Sequence, residues 1–175
     1  MVKSGKKFTN LALRNQKATK MNPLIGEFEC KVDSKGRFLL PAGLKKQLSG
    51  QDLERFVVNR GFEKSLTLYP NSEWQKISSE VNSLNTFVKK NREFTRYFFR
   101  GATEITPDTT SRLLLPKSLL EHAAIKNEII LFAYGQKIEI WAKDVYQSIM
   151  ETEPDDFSSL AEEVMGKITR TDIDD

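Results

Sequence analysis

Gly26-Glu-Phe-Glu-Cys-Lys-Val-Asp33-Ser-Lys-Gly-Arg37-Phe-Leu-Leu-Pro41-Ala-Gly-Leu44 is written a second time as Gly101-Ala-Thr-Glu-Ile-Thr-Pro-Asp108-Thr-Thr-Ser-Arg112-Leu-Leu-Leu-Pro116-Lys-Ser-Leu119. The Gly, Glu29/Glu104, Asp, Arg, the two middle Leu, the Pro and the last Leu all recur 75 positions later. Further on, Leu68–Ile77 matches Ile140–Ile149 at a spacing of 72, the second copy having lost a few loop residues. Repetition fixes architecture before any single residue is interpreted. Two copies are too few for a solenoid, so the reading is a pseudo-symmetric domain in which two half-modules complete one another's core.

Each copy has the same local grammar. Phe28, Cys30 and Val32 alternate with Glu27, Glu29 and Lys31, the period of a half-buried strand. Asp33-Ser34-Lys35-Gly36 has turn chemistry, and Gly36 can take a positive φ without steric cost. Arg37–Leu40 resumes a strand, and Pro41 suits the first turn of a short helix over 41–48, where its missing N–H goes unneeded. Strands are expected at 55–60 and 65–69. A helix follows, capped by Asn71 or Ser72, with Trp74, Ile77, Val81 and Leu84 on one face. After a break at Asn85-Thr86, a second helix over 87–99 carries Phe87, Phe94, Tyr97 and Phe98 among Lys89, Lys90, Arg92, Arg96 and Arg100. The order then repeats: strands 102–106 and 112–115, helix 116–123, a hairpin of 128–134 and 136–141 turning at Gly135, helix 142–151, and a short helix over 157–168.

These elements divide the chain into a basic N-terminal extension (1–25) expected to be disordered, a first repeat (26–73), a helical connector (74–100), a second repeat (101–145) and a helix with an acidic tail (146–175). Met21-Asn22-Pro23-Leu24 reads as an alternative start. The net charge of +3 conceals a polarity: Lys3, Lys6, Lys7, Arg14, Lys17 and Lys20 stand near one end without an acid, and nine acids crowd the last 25 residues. A basic arm can follow nucleic-acid phosphates, although solvated ends commonly look like this. A hydrophobic content of 39% with 29% charged residues is that of a globular protein. No apolar run is long enough to span a bilayer or serve as a leader, so the cytoplasm is the expected address. One cysteine (Cys30) and one histidine (His122) leave no internal disulfide and no zinc site, and no cofactor is implied. Catalysis is not expected: His122 has no nucleophile partner, and the Asp33–Arg37 turn lacks the spacing of a phosphate-binding Gly-rich loop.

Asp33/Arg37 and Asp108/Arg112 carry the functional signal. An Asp at a turn accepts hydrogen bonds from the next backbone N–H groups, so an Arg leaving the loop is held out with little freedom to lose. Such a guanidinium can grip phosphate or the O6/N7 edge of guanine. The plainer alternative is an ion pair that only staples the turn. Lys31, Lys35 and Gly36 make the first turn the better binder. In the second turn Thr109-Thr110-Ser111 leaves Arg112 as the sole charge beyond Asp108.

Tandem D-x-x-x-R units, each followed by an apolar triplet and Pro, with Tyr69-Pro70 and Glu73-Trp74 after the first, resemble the MraZ family of bacterial transcriptional regulators. The resemblance covers about residues 21–165, with Ser111 standing where the family usually has Gly. It implies an α+β fold, a small pseudo-two-fold β-barrel of two interlocked AbrB-like βαβ half-modules with amphipathic helices. It also implies a ring-shaped homo-oligomer, associated with the nucleoid. Such proteins bind double-stranded DNA at direct repeats upstream of the division and cell-wall gene cluster and at their own promoter, most often as repressors. The DNA-binding residues it implies are Lys31, Asp33, Lys35, Gly36, Arg37, Asp108 and Arg112. No membrane and no small-molecule substrate are expected as partners. A protein-interaction module of the AbrB antitoxin type is the alternative, with the acidic tail and the 87–99 helix as docking surfaces.

Overall fold

The computed structural model describes residues 22–151 and 156–166; residues 1–21 of the basic arm and the acidic stretches 152–155 and 167–175 lie outside them, while the end of the arm, expected to be disordered, enters a strand at Leu24. Alternating burial along β1 (Leu24–Lys31) follows from its period-2 pattern, and the sheet reaches back to Leu24, which is buried. β2 (Arg37–Leu39) leaves the first turn, and α1 (Ala42–Lys45) starts behind Pro41 but ends earlier than expected, giving way to a 3-10 turn at Gly50–Leu53. A hairpin of β3 (Phe56–Arg60) and β4 (Leu66–Pro70) leads into α2 (Asn71–Asn82) and α3 (Lys89–Phe99). The second half repeats this as β5 (Thr103–Ile105), β6 (Arg112–Leu114), α4 (Lys117–His122), β7 (Glu128–Gly135), β8 (Lys137–Ala142), α5 (Lys143–Glu151) and α6 (Phe157–Met165).

Neither half closes its own sheet. The antiparallel six-stranded sheet runs β1-β7-β8-β4-β3-β5, so each hairpin takes its third strand from the other half. The registers are the same on both sides: Cys30 opposes Ile129 and Glu29 opposes Ile130, as Ile105 opposes Phe56 and Glu104 opposes Val57. At the centre, β4 pairs β8 with Leu66 opposite Ile140 and Leu68 opposite Ile138, which puts Thr67 and Glu139 on the pseudo-two-fold axis. A separate ribbon pairs β2 with β6, and there Phe38 faces Leu113 on the axis.

The sheet is open, not the closed barrel expected. β1 and β5 form its two edges. The reason is that the chain leaves the sheet at the Asp-x-x-x-Arg turns, and the strands that follow bond to each other instead of bridging the edges. Side chains seal that end instead: Phe38, Leu40, Leu113 and Leu115 are all buried in one continuous core with Phe56, Leu68, Leu131 and Ile140. Ion pairs cross between halves at the edges, Glu29 to Lys143 and Glu104 to Arg55. Among the described residues no helix is long and apolar enough to cross a membrane.

The helix starts also differ from expectation. Pro70, whose side chain has no polar group to cap with, stands at the N-cap of α2, and Asn71 and Ser72 are its first two helical residues. The buried carboxylate of Asp52, in the 3-10 turn, accepts from the Ser72 N–H and hydroxyl, both at 3.0 Å. An acid at a helix N-terminus also complements the helix dipole. α3 packs onto α2 through Phe98, stacked on Trp74 at 5.8 Å, while Phe94 and Tyr97 remain largely exposed.

Phe38 sits where both halves meet, and only 1% of it is exposed. Phe38→Ala is expected to cost about 3–5 kcal/mol through lost burial and a residual cavity. Urea unfolding should show a lower midpoint in one cooperative transition. Independent melting of the two halves would contradict the shared core.

Candidate nucleic-acid interface

The two turns are built bond for bond alike. In the first, the Asp33 N–H donates to the Arg37 carbonyl at 2.9 Å and the Gly36 N–H to the Asp33 carbonyl at 3.0 Å. Asp33 Oδ1 accepts from the Lys35 and Arg37 N–H groups, each at 2.9 Å, and Oδ2 accepts from Arg37 Nε at 2.7 Å. In the second, Asp108 and Arg112 make the same backbone pair, Oδ1 accepts from the Thr110 and Arg112 N–H groups at 2.9 Å, and Oδ2 accepts from Arg112 Nε at 2.8 Å. The Thr110 hydroxyl adds a further bond to Oδ1 at 2.8 Å. The Arg37 backbone N–H above all, with its side chain and the Lys35 N–H, holds the Asp33 carboxyl below the usual range. For Asp108 the Arg112 N–H leads, followed by Thr110.

The ion pair does not use up the guanidinium. Each Asp engages Nε, and among the described residues the two terminal nitrogens that form the fork of each guanidinium take no hydrogen-bond partner. That end-on fork suits phosphate or a guanine edge. The carboxylate fixes the guanidinium plane in advance.

Each turn is also bonded to the other half: the Leu115 N–H donates to the Gly36 carbonyl and the Leu40 N–H to the Ser111 carbonyl, at 2.9 and 3.0 Å. Gly36 and Ser111 both take the left-handed region, φ 85° and 62°. The Ser in place of Gly therefore leaves the turn conformation unchanged. What differs is the neighbour. A Cβ on Gly36 would meet Leu120 Cδ1 at 2.9 Å and the Leu115 carbonyl at 3.2 Å. Against Ser111 the matching position is Lys45, whose Nζ lies 3.4 Å from the Ser111 hydroxyl. One half pairs a bare backbone with leucine, and the other pairs a hydroxyl with lysine.

Register decides what shares the outer face of the ribbon. Arg37 opposes Leu114 and Leu39 opposes Arg112, so these four side chains lie on one side, with Phe38 and Leu113 turned into the core. Leu39 and Leu114 are 56% and 51% exposed, an apolar pair between two arginines. Lys35 and Lys117 flank a shallow depression beside Leu114. Thus Asp33, Lys35, Gly36, Arg37, Asp108 and Arg112 come together. Lys31 stands apart, opposite Glu128 in the exposed row of β1 with Glu27 and Glu29. Leu39, Leu114, Lys117 and Lys45 were not expected here; period-2 alternation outward from Arg37 and Arg112 would have flagged the leucines.

Other chemistry is muted. Burial, then Glu29, pushes the Cys30 thiol up to about 11, which keeps it protonated at neutral pH. Among the described residues no group of His, Cys, Asp or Glu is arranged to hold a metal ion.

The turn geometry generates two expectations. Gly36→Ala should destabilise the fold by about 1–2 kcal/mol, combining left-handed strain with the Leu120 contact, whereas Ser111→Gly should be neutral or mildly stabilising. Thermal unfolding of both variants checks this, and equal effects would contradict the proposed exchange of neighbours. The second concerns acid. Carboxylates whose pKa is depressed by folding add stability that is present above their unfolded value, about 3.9, and lost as pH falls through the folded one. Asp33→Asn with Asp108→Asn should therefore lower Tm at pH 7 and flatten its decline below pH 4.

Two comparisons bear on this geometry. A family profile described as "MraZ protein, putative antitoxin-like" matches the chain twice, over residues 24–97 and 98–167. A "Transcriptional regulator MraZ" of Flavobacterium psychrophilum is 46% identical over 149 residues, covering 85% of this chain and 95% of that protein. One from Christiangramia forsetii is 47% identical over 144 residues (82% and 93%), and one from Caldanaerobacter subterraneus subsp. tengcongensis is 34% identical over 139 residues (79% and 94%).

Proposed function

The chain belongs to the MraZ family, and from that premise we propose that it is a DNA-binding transcriptional regulator that reads its site with the β2–β6 ribbon. The observation that carries this reading is the pair of Asp–Arg turns with matching hydrogen bonds, whose guanidinium forks, unpaired among the described residues, flank one solvent-facing patch. A two-stranded ribbon fits the B-DNA major groove. Arg37 and Arg112 sit at diagonal corners, with Cα atoms roughly 8 Å apart by strand geometry. Each addresses a guanine edge or a phosphate. Leu39 and Leu114 between them offer apolar contact to thymine methyl groups. Lys35 supplies a phosphate contact at the first turn, which makes that turn the stronger of the two. Lys31 contributes at most through the general field.

One ribbon neutralises few phosphates, and binding by a single chain is weak at physiological salt. Assembly into a head-to-tail ring presents the same ribbon repeatedly in one sense, which matches direct repeats. Isologous dimers favour palindromes. Neighbouring subunits on successive repeats gain avidity of roughly 10² to 10⁴. The targets we assign are short direct repeats upstream of the division and cell-wall gene cluster, the chain's own promoter among them, with repression as the outcome. The location that follows is cytoplasmic and nucleoid-associated.

Fluorescence anisotropy on the chain's own upstream DNA tests this. Arg37→Ala should cost about 1–3 kcal/mol of discrimination between repeat and scrambled DNA while the fold stays intact. Lys35→Ala should weaken both targets alike and lower the salt slope by about one. Unchanged affinity in both variants would refute the ribbon assignment.

A further inference from the structure

On the far side of β3 and β4, the loop of residues 61–65 and helix α3 enclose a groove of about 640 Å³. Its walls include Phe62, Tyr97 and Phe98, with Arg60, Lys64, His122 and a single acid, Glu63, among the polar groups. Phe62 is 90% exposed and Tyr97 73%, so two aromatic rings stand uncovered at its mouth. Arg60 Nε and His122 Nε2 are buried without a hydrogen-bond partner among the described residues. The Arg60 Nε–H is a buried, unpaired donor, which is costly and calls for an acceptor. Burial first, then Arg60, with Arg100 and Lys64 also near, depresses the His122 pKa. The groove is thus apolar and aromatic, with Arg60 and Lys64 against one acid, Glu63, in its walls.

The chain carries a surface of opposite character. α6 places Phe157, Leu160 and Val164 at i, i+3 and i+7, with Ala161 and Met165 beside them, and all but Ala161 are strongly exposed. Residues 151–166 contain six acids and no Lys or Arg, whereas residues 89–100 around α3 contain five basic residues and one acid. An amphipathic helix laid into an apolar groove is a standard mode of recognition, with anchors at this spacing. Among the described residues nothing covers either surface.

We propose that α6 of one copy docks into the groove between the 61–65 loop and α3 of the next copy. Phe157, Leu160 and Val164 cover the Phe62–Tyr97 rings, and the acids of α6 and its cap, Asp156, Glu162 and Glu163, face Arg60, Lys64 and Arg100. Donor and acceptor surfaces differ, so the contact is head-to-tail and propagates from chain to chain. It supplies the subunit contact of the ring invoked above and rests on that reading.

Native mass spectrometry of the full chain, with Leu160→Asp and Tyr97→Asp at exposed positions, tests the contact. Wild type should assemble. Each variant should fall to the mass of one chain, 20.1 kDa, with unchanged circular dichroism. Mixed together, the two variants retain one intact groove and one intact α6, so they should form a 1:1 heterodimer and stop there. If wild type assembles and binds promoter DNA while both variants still assemble, the docking contact is wrong and the DNA reading stands. Loss of DNA binding by Tyr97→Asp without loss of assembly would assign the groove to DNA and likewise overturn docking. A monomeric wild type would overturn both docking and the ring.

Discussion

A two-stranded hairpin cannot bury a face by itself, and here neither hairpin is left to try. β3–β4 receives β5, and β7–β8 receives β1, so the hydrogen bonds that finish each half come from the other. Cross-pairing of this kind makes the core indivisible: Phe38, Leu113, Leu68 and Ile140 pack as one cluster whatever half they come from. It also fixes where the chain departs from the sheet. Both departures occur at an Asp-x-x-x-Arg turn, and both turns lead into the same ribbon. The position of the candidate interface is therefore a by-product of how the core is completed.

Within that frame the aspartates do most of the local work. Each one organises a loop through backbone N–H groups with one oxygen and orients a guanidinium with the other. An arginine on a free loop would lose rotamer entropy on meeting DNA. Here the folded protein has already restricted it. Exposed ion pairs add little to stability, so the value of these pairs lies in geometry.

Much of this was legible in the residues. Matched spacing of Asp33/Arg37 and Asp108/Arg112 gave the repeat, the element order and the location of the turns. Period-2 and helical patterns placed nearly every strand and helix to within a few residues. What escaped were facts of tertiary pairing. Whether the sheet closes depends on which strands β2 and β6 choose, and their three residues each carry no sign of it. Asp52 reaches the start of α2 from 20 residues away, so no local capping pattern reveals it. Lys31 looks adjacent to the first turn, yet strand alternation turns it toward Glu128. The tolerance of Ser111 becomes intelligible only once Lys45 is known to face it, as Leu120 faces Gly36.

That last contrast has a wider meaning. In a homodimer every mutation appears twice, so the two symmetry-related contacts must change in step. Covalent linkage of the halves removes the obligation. Glycine against leucine and serine against lysine are two answers to one packing problem, held side by side in a single polypeptide. A molecule of this construction can adjust one of its fingertips while leaving the twin untouched, and so offer two unlike ends on a ribbon that began as symmetric.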